Sequence, residues 1–399
     1  MTGLLGAPSG GPQLLRAMNE QALLESIRRF GPISRADLAR HSGLSKPTVA
    51  IALTNLDHAG LVQRAGLRTG QPGPAALLYE VRPDAGYVLG VDVGRRFVRC
   101  AIADLSGQVR ARSSVPVHAR EGLRLVAEMV GAADLMLAEA GMSRSDVTQT
   151  VIGTPGVYDP RRNSLALTGE RPGWGKPAVL IAMREAFGDD LLIENDVDAA
   201  ALAERAYGHG RAVDDFAFAM IGTGIGVGLM LGGRLRRGAH GAAGEIGYLP
   251  LADDSNRAST REPQLGGFES VASAAGVVRA AKKAGLRGAN SAEEVFRAAL
   301  SGDPRAQEVV RIEAVLIARA LAAVIAVADP ELIILGGGIG EAEGFVDAVA
   351  GELVKVSPIV PNVLVSALGE DAVVDGCLVT GAQRAWERAI NSHLARLPD

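Results

Sequence analysis

Residues 87–96 read YVLGVDVGRR, an apolar run that reaches Asp92 and Gly94 and is followed by Arg95 and Arg96. The run predicts a buried strand, and the glycine that follows it predicts a tight turn. Such a turn binds phosphate when small residues let backbone N–H groups approach the phosphate oxygens closely. Because two arginines stand where small residues would be needed, the sequence predicts a phosphate loop that has lost its ordinary use.

Further glycine turns and a polar strand end follow in the same part of the chain. From residue 86 onward, apolar strands alternate with amphipathic helices, which predicts an α/β architecture. The motifs of interest are IEND at 193–196, GTGIGVG at 222–228, RGAHGAAGEIGY at 237–248 and DPELIILGGG at 329–338. A carboxylate at a strand end can act as general base for a sugar hydroxyl. Each motif alone is a weak indication.

Composition sets the limits for these motifs. The chain has 399 residues, of which 48% are hydrophobic, so more than one domain is expected. Residues 1–80 hold eight Lys/Arg and five Asp/Glu, a charge of +3, and the net charge of −4 leaves −7 for the remainder. A basic head on an acidic body points to a polyanion as partner of the head.

Targeting signals and metal clusters are not indicated. Cys100 and Cys377 are far apart in the sequence and fit no metal spacing. Residues 1–19 lack a charged start followed by an apolar core, so no signal peptide is expected. The apolar stretch at 314–328 is interrupted by Arg319 and is too short to span a bilayer. We therefore expect a cytoplasmic protein without a membrane partner.

The head, residues 1–80, reads as a winged helix-turn-helix. Its first helix is predicted from apolar residues at helical spacing, namely Leu14, Leu15, Met18, Ala22, Leu23 and Ile27. Ser34 and Ser45 each precede a further short helix, as N-cap residues do. Two strands, at 61–64 and 76–79, surround a Gly/Pro-rich tip and complete the wing.

In this arrangement the helix that begins at Ser45 enters the major groove, with its N-terminal residues nearest the bases. Other basic residues of the head would contact phosphates. The residues predicted to contact DNA are Arg35, Ser45, Lys46, Pro47, Thr48, Arg64 and Arg68. The alternative is a winged module that makes only protein contacts.

Taken together and in this order, the motifs resemble those of the ROK family (repressors, open reading frames and sugar kinases). The resemblance covers essentially the entire chain, and the head matches the repressor branch. It implies a two-lobed, actin-like (ribonuclease H-like) sugar kinase-type ATPase fold with the sugar in the cleft between the lobes. The expected lobes are residues 86–205 and 206–399, with the last helix packing back on the first lobe.

The resemblance also implies site residues. The sugar-binding set is Gly156, Thr168, Asn195, Asp196, Glu245, Tyr248 and Glu269, with Asp196 as a vestigial catalytic base. The remnants of the nucleotide loops are Asp92, Gly94, Gly222, Thr223, Gly224, Gly226, Gly336 and Gly337. No working catalytic residue, no metal ligand and no cofactor is expected.

One departure from the family pattern lies in the first phosphate loop. Arg95 and Arg96 replace a glycine and a threonine, so their side chains would occupy phosphate space and could pair with Asp92 or Asp196. We therefore do not expect ATP to bind. The alternative is that both arginines are surface residues after a shifted turn.

Three further departures lie near the expected sugar site. Tyr248 replaces a histidine that contacts sugar and zinc in the family, and residues 253–268 contain no cysteine where the family has a zinc cluster. Because a structural zinc needs about four thiolate or imidazole ligands, no zinc is expected. Asp198 stands where the family more usually has asparagine, which would alter sugar preference.

These observations favour a sugar-responsive DNA-binding transcriptional regulator, a repressor, whose body has lost catalysis, and they leave open whether the sugar releases or promotes DNA binding. Its partners would be operator DNA and a small sugar or sugar derivative, and operator symmetry favours a homodimer or a dimer of dimers. The alternative is an active, glucokinase-like ATP-dependent sugar kinase with an accessory DNA-binding head. A third possibility is a regulator that binds no sugar and responds to a protein partner.

Overall fold

A computed structural model describes residues 12–69, 75–159, 161–168, 172–250 and 267–394. The head has three helices and three strands within these residues. They are α1 (Pro12–Phe30), β1 (Ile33–Ser34), α2 (Arg35–Ser42), α3 (Lys46–His58), β2 (Val62–Arg68) and β3 (Ala76–Val81). The strands form one antiparallel sheet in the order β1-β3-β2. The predicted wing tip at 70–74 lies outside the described residues.

The caps predicted for α2 and α3 are confirmed. The Ser34 and Ser45 hydroxyls accept hydrogen bonds from the third residue of each helix, at 3.2 and 3.3 Å. Gly43 ends α2 with a φ of 69°, a left-handed conformation that glycine adopts without strain. The first predicted helix is confirmed as α1, although Leu15 and Met18 are 62% and 57% exposed.

The body begins with a five-stranded sheet in the order β10-β7-β4-β5-β6. Its strands are β4 (Tyr87–Val93), β5 (Phe97–Asp104), β6 (Val109–Pro116), β7 (Val147–Thr154) and β10 (Leu192–Asn195). The first three pair antiparallel, whereas β4, β7 and β10 run parallel. A small antiparallel pair, β8 (Val157–Asp159) and β9 (Ser164–Ala166), follows β7.

A second five-stranded sheet has the order β13-β12-β11-β14-β15. Its strands are β11 (Phe216–Ile221), β12 (Ile225–Leu231), β13 (Arg234–Leu235), β14 (Leu332–Gly336) and β15 (Asn362–Val365). Counted from its own first strand, each sheet has the order 3-2-1-4-5, with the same pattern of parallel and antiparallel pairs. The body is therefore built from two lobes of the same topology, as predicted.

Helices cover both sheets. Those of the body are α4 (Gly122–Glu139), α5 (Pro177–Phe187), α6 (Asp196–Tyr207), α7 (Glu269–Ala272), α8 (Ala274–Lys283), α9 (Ala292–Leu300), α10 (Pro304–Ala328), α11 (Gly337–Gly340), α12 (Phe345–Val356) and α13 (Ala372–Leu394). Within the described ranges, no helix is long and apolar enough to cross a membrane.

The last helix, α13, packs on α6 and on the first-lobe strands β4, β7 and β5. Its glycines allow very close approach: a Cβ at Gly376 would lie 1.8 Å from the carbonyl oxygen of Ala199 on α6. Further along, Trp386 is fully buried in a cluster that also contains Leu23 and Leu24 of the head. Thus α13 contacts both the first lobe and the head.

Candidate functional site

Asn195 and Asp196 lie where β10 ends and α6 begins. The Asn195 side-chain oxygen caps α6 by accepting hydrogen bonds from the N–H groups of Val197 (2.9 Å) and Asp198 (3.0 Å). Its amide nitrogen donates to the carbonyl of Gly156 at 3.1 Å. Most of the Asn195 side chain is therefore committed to structure, and the cap sets Asp196 as the first residue of the helix.

A glycine-rich loop brings Glu245 towards this helix. Gly244 has a φ of 84°, and a Cβ there would lie 1.7 Å from the carbonyl oxygen of Val227 on β12. Only glycine fits this crossing. The same loop ends at Tyr248, which is 38% exposed.

Glu269 approaches the same place from the start of α7. Its Oε2 accepts a hydrogen bond from the N–H of Ile225 at 3.1 Å. A Cβ at Gly224 or Gly247 would lie 3.4 or 3.1 Å from that oxygen. The carboxylate of Glu269 thus sits between the second glycine turn and the loop of Glu245.

Gly156 and Thr168 form a neighbouring part of the site. Gly156 has a φ of 102°, and a Cβ there would lie 2.6 Å from the carbonyl oxygen of Ala166 and 3.2 Å from Thr168. The buried Trp174 anchors this loop, since its Nε1 donates to the Thr154 hydroxyl at 2.7 Å. The structure therefore brings the predicted sugar-binding residues from both lobes into one region.

The electrostatics of the region are acidic. Burial raises the pKa of Asp198 to about 7, with the charge of Glu194 acting in the same direction and that of Arg237 opposing it. Burial likewise raises the pKa of Glu245 to about 7, helped by Asp196 and Glu269. Burial and like charges therefore make ionisation of both carboxylates costly in the folded protein.

Arg237 is already engaged in this cluster. Its Nε donates to Glu194 Oε1 at 3.2 Å, and a second guanidinium nitrogen bonds the other oxygen of the same carboxylate. The Glu194 side chain is 10% exposed. This bidentate pair neutralises one carboxylate, while Asp196, Asp198 and Glu245 remain close together as further acidic groups.

The second glycine turn joins β11 to β12. The N–H of Gly222 donates to the carbonyl of Gly224 at 3.0 Å, which closes the turn around Thr223. A Cβ at Gly226 would lie 3.0 Å from Val197 of α6, and one at Gly222 would lie 3.6 Å from the nitrogen of Gly338. The turn is therefore adjacent both to α6 and to the glycines after β14.

Those glycines are also tightly placed. A Cβ at Gly336 would lie 2.4 Å from the ring of Phe218. Gly337 has a φ of 81°, and its N–H donates to Glu341 Oε1 at 3.1 Å. The backbone N–H of Gly337 is therefore already hydrogen-bonded to the Glu341 carboxylate.

The first phosphate loop has an ion pair that the sequence analysis missed. Arg99 Nη1 lies 3.5 Å from Asp92 Oδ2, and its Nη2 lies 2.6 Å from Glu370 Oε2. Asp92 and Arg99 are direct partners in the β4–β5 ladder, so hairpin register was the signal that could have found this pair. Arg95 and Arg96 are exposed in the turn beside Gly94.

In the head, two predicted DNA contacts have protein partners. Arg35 Nη2 donates to the Tyr79 hydroxyl at 2.5 Å and its guanidinium lies over that ring. Arg68 pairs with Asp37 at 2.8 Å. Both arginines are nevertheless exposed, as are Ser45, Lys46, Pro47 and Arg64 of the predicted set, whereas Thr48 is half-buried and bonds Ser45.

Residues 253–266 of the predicted zinc-free segment lie outside the described residues. Across the parts of the chain that the structure describes, no group of three or more His, Cys, Asp or Glu side chains is arranged to hold a metal ion.

Residues 88–379, most of the body, match the model of the ROK family. The chain belongs to the ROK family. The two-lobed fold described above is thus the actin-like fold that the motifs implied. The individual relatives bear on whether the activity is that of a kinase or of a regulator.

Curated ROK relatives include both enzymes and regulators. The chain is 37% identical over 195 residues to the bifunctional enzyme NanE/NanK of Brucella suis, covering 49% of this chain and 35% of that protein. It is 25% identical to the xylose repressor of Bacillus subtilis over 59% of this chain and 61% of the repressor. It is 24% identical to the transcriptional dual regulator NagC of Escherichia coli over 84% of each. The chain therefore spans about a third of the length of the NanE/NanK enzyme and about three fifths of the length of the xylose repressor.

Solved ROK structures that match the chain likewise include a regulator and sugar kinases. A ROK transcriptional regulator described as a homologue of the Escherichia coli MLC protein matches with a TM-score of 0.76 and 24% identity, over 96% of this chain and 100% of that one. The ROK hexokinase of Thermus thermophilus matches with a TM-score of 0.62 and 28% identity, over 75% and 99%. The ROK glucokinase of Streptomyces griseus, in complex with glucose and AMPPNP, matches with 0.63 and 25%, over 75% and 100%.

Proposed function

We propose that the chain is a sugar-responsive DNA-binding transcriptional regulator, a repressor, whose kinase-like body binds an effector sugar without transferring phosphate. The proposal rests on how much of the chain each solved structure matches. The regulator structure matches 96% of the chain and the two kinase structures match 75% each. The difference is roughly a fifth of the chain, close to the share of the 80-residue head.

The geometry of the head supports DNA binding. α2 and α3 are joined by a turn at Gly43, and the first turn of α3 presents Lys46 and Pro47 to solvent. The hairpin of β2 and β3, with Arg64 exposed, is suited to act as a wing. A homodimer or a dimer of dimers would present two such heads to half-sites one helical turn apart.

Arg99 supports the loss of catalysis. Phosphoryl transfer by ATP requires Mg²⁺ between acidic side chains and the phosphates. The guanidinium of Arg99 already provides a positive charge at Asp92, and Glu370 holds it there. We therefore expect neither ATP nor Mg²⁺ to bind at Asp92, and the absence of zinc stays a prediction from the sequence.

A continuous path of contacts supports coupling between the sugar and the DNA. Asp196 is the first residue of α6, and α13 touches the backbone of that helix where Gly376 meets Ala199. One end of α13 carries Trp386, and the guanidinium of Arg28 on α1 lies 5.8 Å from the centre of its ring. Cleft closure that moves α6 would therefore move α13 and shift the head.

DNA binding can be tested by selecting duplexes from a random pool with the purified full chain and measuring affinity by fluorescence anisotropy. Lys46→Ala is expected to weaken the selected operator about 10-fold or more, since a base contact contributes about 1–3 kcal/mol. Arg64→Ala is expected to weaken all duplexes and to lower the salt slope by about 1.

The matched control for these variants is Lys355→Ala, an exposed lysine on α12. It should bind operator as the unsubstituted protein does. A chain that selects no duplex, or an equal loss in the control, would remove the DNA-binding proposal.

Coupling can be tested separately with Trp386→Phe. This variant keeps an aromatic ring and loses the hydrogen bond that Nε1 donates to the carbonyl of Leu105 at 3.0 Å. We expect sugar affinity to be unchanged and the sugar-induced change in operator affinity, about 5- to 150-fold in an ordinary coupled system, to shrink several-fold. An unaltered ratio would show that α13 does not carry the signal.

An active sugar kinase with an accessory head is the second candidate, favoured by Asp196 and by the closed glycine turn at residues 222–228. ADP release over hexoses, amino sugars and pentoses tests it. Turnover that falls about 10²–10⁴-fold in Asp196→Asn, as loss of a general base would cause, would make the protein an enzyme.

A further inference from the structure

Glu204 lies in the last turn of α6 and is fully buried, although its side chain ends in a carboxyl group. Its two side-chain oxygens accept hydrogen bonds from two distant segments of the chain. Oε2 accepts one from the N–H of His209 at 2.8 Å. Oε1 accepts one from the Ser366 hydroxyl at 2.7 Å and one from the N–H of Ala367 at 2.9 Å. These donors replace the water that the carboxyl group loses on burial.

The donors lie in the two connections between the lobes. The first connection, residues 208–215, leads from α6 to β11 in the second sheet, and the second, residues 366–371, leads from β15 to α13 on the first lobe. A Cβ at Gly208 would lie 1.8 Å from Glu204 Oε2, so only glycine lets the first connection pass this close. Glu204 therefore fastens both connections at one point.

The Ser366 hydroxyl also shapes the second connection. It accepts hydrogen bonds from the N–H groups of Leu368 at 3.2 Å and Gly369 at 3.3 Å. Gly369 has a φ of 54°, a left-handed conformation that suits glycine. The next residue, Glu370, bonds Arg99 on β5 at 2.6 Å. The connection is thus held by α6 at one end and by the first-lobe sheet at the other.

The start of α13 has a further attachment to the same sheet. Arg112 on β6 lies 2.5 Å from Asp375 Oδ1 and 3.5 Å from Asp371 Oδ2. Because these ion pairs are partly exposed, each contributes little stability by itself. Together they fix the direction in which α13 leaves the second connection.

We propose that Glu204 is the positioning residue of a hinge that transmits movement of α6 to α13. Asp196 begins α6 in the proposed sugar site, and Glu204 lies about two turns further along the same helix. A helix of this length moves as one rigid element, so a sugar that shifts the start of α6 also shifts the Glu204 carboxylate. The second connection follows the carboxylate and changes the position of α13 against the head. This inference rests on the proposed coupling of sugar to DNA and names the side chain that carries it.

Two substitutions weaken the hinge to different degrees. Glu204→Gln keeps the size of the side chain, but its amide nitrogen cannot accept a hydrogen bond, so at least one of the donors loses its partner. Ser366→Ala is milder, because Glu204 keeps the N–H groups of His209 and Ala367. If Glu204→Gln does not fold, Ser366→Ala decides the question.

The matched controls remove the same kinds of group elsewhere. Asp189→Asn removes a carboxylate at an exposed position after α5. Ser357→Ala removes a hydroxyl that bonds the carbonyl of Ile359 within a loop of the second lobe. Neither control should change any of the measurements below.

Hydrogen–deuterium exchange of the full chain without ligand measures the link itself. In Glu204→Gln we expect amides of residues 208–213 and 366–371 to exchange about 10-fold or more faster, because hydrogen bonds to a charged acceptor are lost. The effect in Ser366→Ala should be smaller and confined at first to residues 366–371. In both variants residues 380–390 should also exchange faster, although this segment begins about two turns along α13 from the hinge. A purely local structural role would leave residues 380–390 unchanged.

Operator affinity with and without sugar measures the regulatory role. The ratio of the two affinities is about 5- to 150-fold in an ordinary coupled system. In both variants it should fall to about a third of its original value or less, because α6 then moves without carrying α13 with it. Sugar affinity of the DNA-free protein should stay within about threefold, since neither residue belongs to the proposed sugar site.

The outcomes separate the hinge from the proposed function. Unchanged exchange at residues 380–390, or an unchanged affinity ratio, overturns the hinge assignment and leaves sugar sensing intact. If no sugar alters the operator affinity of the unsubstituted protein, the proposed function is overturned. The exchange measurement then still decides whether Glu204 links α6 to α13.

Discussion

Replacing Asp198 by asparagine should change how the stability of the ligand-free protein depends on pH. The ordinary pKa of the side chain, 3.8, is raised to about 7 in the folded protein. A group with a raised folded pKa contributes stability that is fully present below its unfolded pKa and is lost as pH rises through the folded pKa. The contribution of Asp198 is therefore lost between about pH 4 and pH 7.

The size of the effect follows from the same two values. Each pH unit within that window corresponds to about 1.36 kcal/mol. Between pH 5 and pH 8, the free energy of unfolding should fall by about 2.5 kcal/mol through Asp198. Asp198→Asn cannot lose a proton, so this part of the decline disappears in the variant.

Urea unfolding at pH 5, 6, 7 and 8, followed by circular dichroism, measures the difference directly. The unfolding free energy of Asp198→Asn should fall less than that of the unsubstituted protein over this range, with most of the divergence between pH 5 and pH 7. Asp189→Asn should run parallel to the unsubstituted protein. Parallel curves for Asp198→Asn as well would refute a raised pKa at this position.

Further substitutions test other parts of the structure. Glu313 on α10 is buried, one of its oxygens has no hydrogen-bond partner among the described residues, and burial raises its pKa well above the ordinary value. Glu313→Gln should therefore gain about 1–3 kcal/mol in urea unfolding at alkaline pH and less in acid, and equal stability at all pH values would contradict this. Gly244→Ala should cost about 1–3 kcal/mol and abolish sugar-induced thermal shifts, because its Cβ would meet the carbonyl of Val227, whereas Gly351→Ala on α12 should be neutral or stabilising by up to about 1 kcal/mol. Arg99→Ala should lower stability by about 1–3 kcal/mol through the loss of a charged partner at Asp92, and an unchanged urea midpoint would mean that the ion pair is not formed in solution.

Much of the fold followed from local sequence signals. Ser34 and Ser45 were recognisable as caps because an N-cap needs only a short side chain and the first helical turn. The strands before Asp92 and Asn195 were recognisable because each reaches polar residues at an apolar boundary. These signals lie within a few residues of one another, so they can be found without knowledge of the tertiary structure.

Contacts between distant segments could not be found in this way. The pairing of Arg99 with Glu370 joins residues that are 271 positions apart. The exposure of Leu15 and Met18 depends on which face of α1 packs in the head, and helical spacing identifies a stripe without saying what covers it. Asn195 both caps α6 and donates a hydrogen bond to Gly156. The second contact could not be predicted because it depends on the geometry of the loop.

The predicted site residues of the body converge in the structure, but their ligands stay predictions. Asp196, Glu245 and Glu269 interact electrostatically, which the order of motifs and the family resemblance anticipated. The burial of Asp198 was not anticipated, since a substitution of asparagine by aspartate on a helix says nothing about its exposure.

The most direct test of the account measures operator affinity of the full chain with and without the sugar that binds most tightly, each in the presence and absence of Mg-ATP. We expect sugar alone to change operator affinity about 5- to 150-fold, Mg-ATP to add nothing, and no ADP to appear. An operator affinity that no bound sugar alters, or a change that requires Mg-ATP and releases ADP, would contradict a sugar sensor without catalysis.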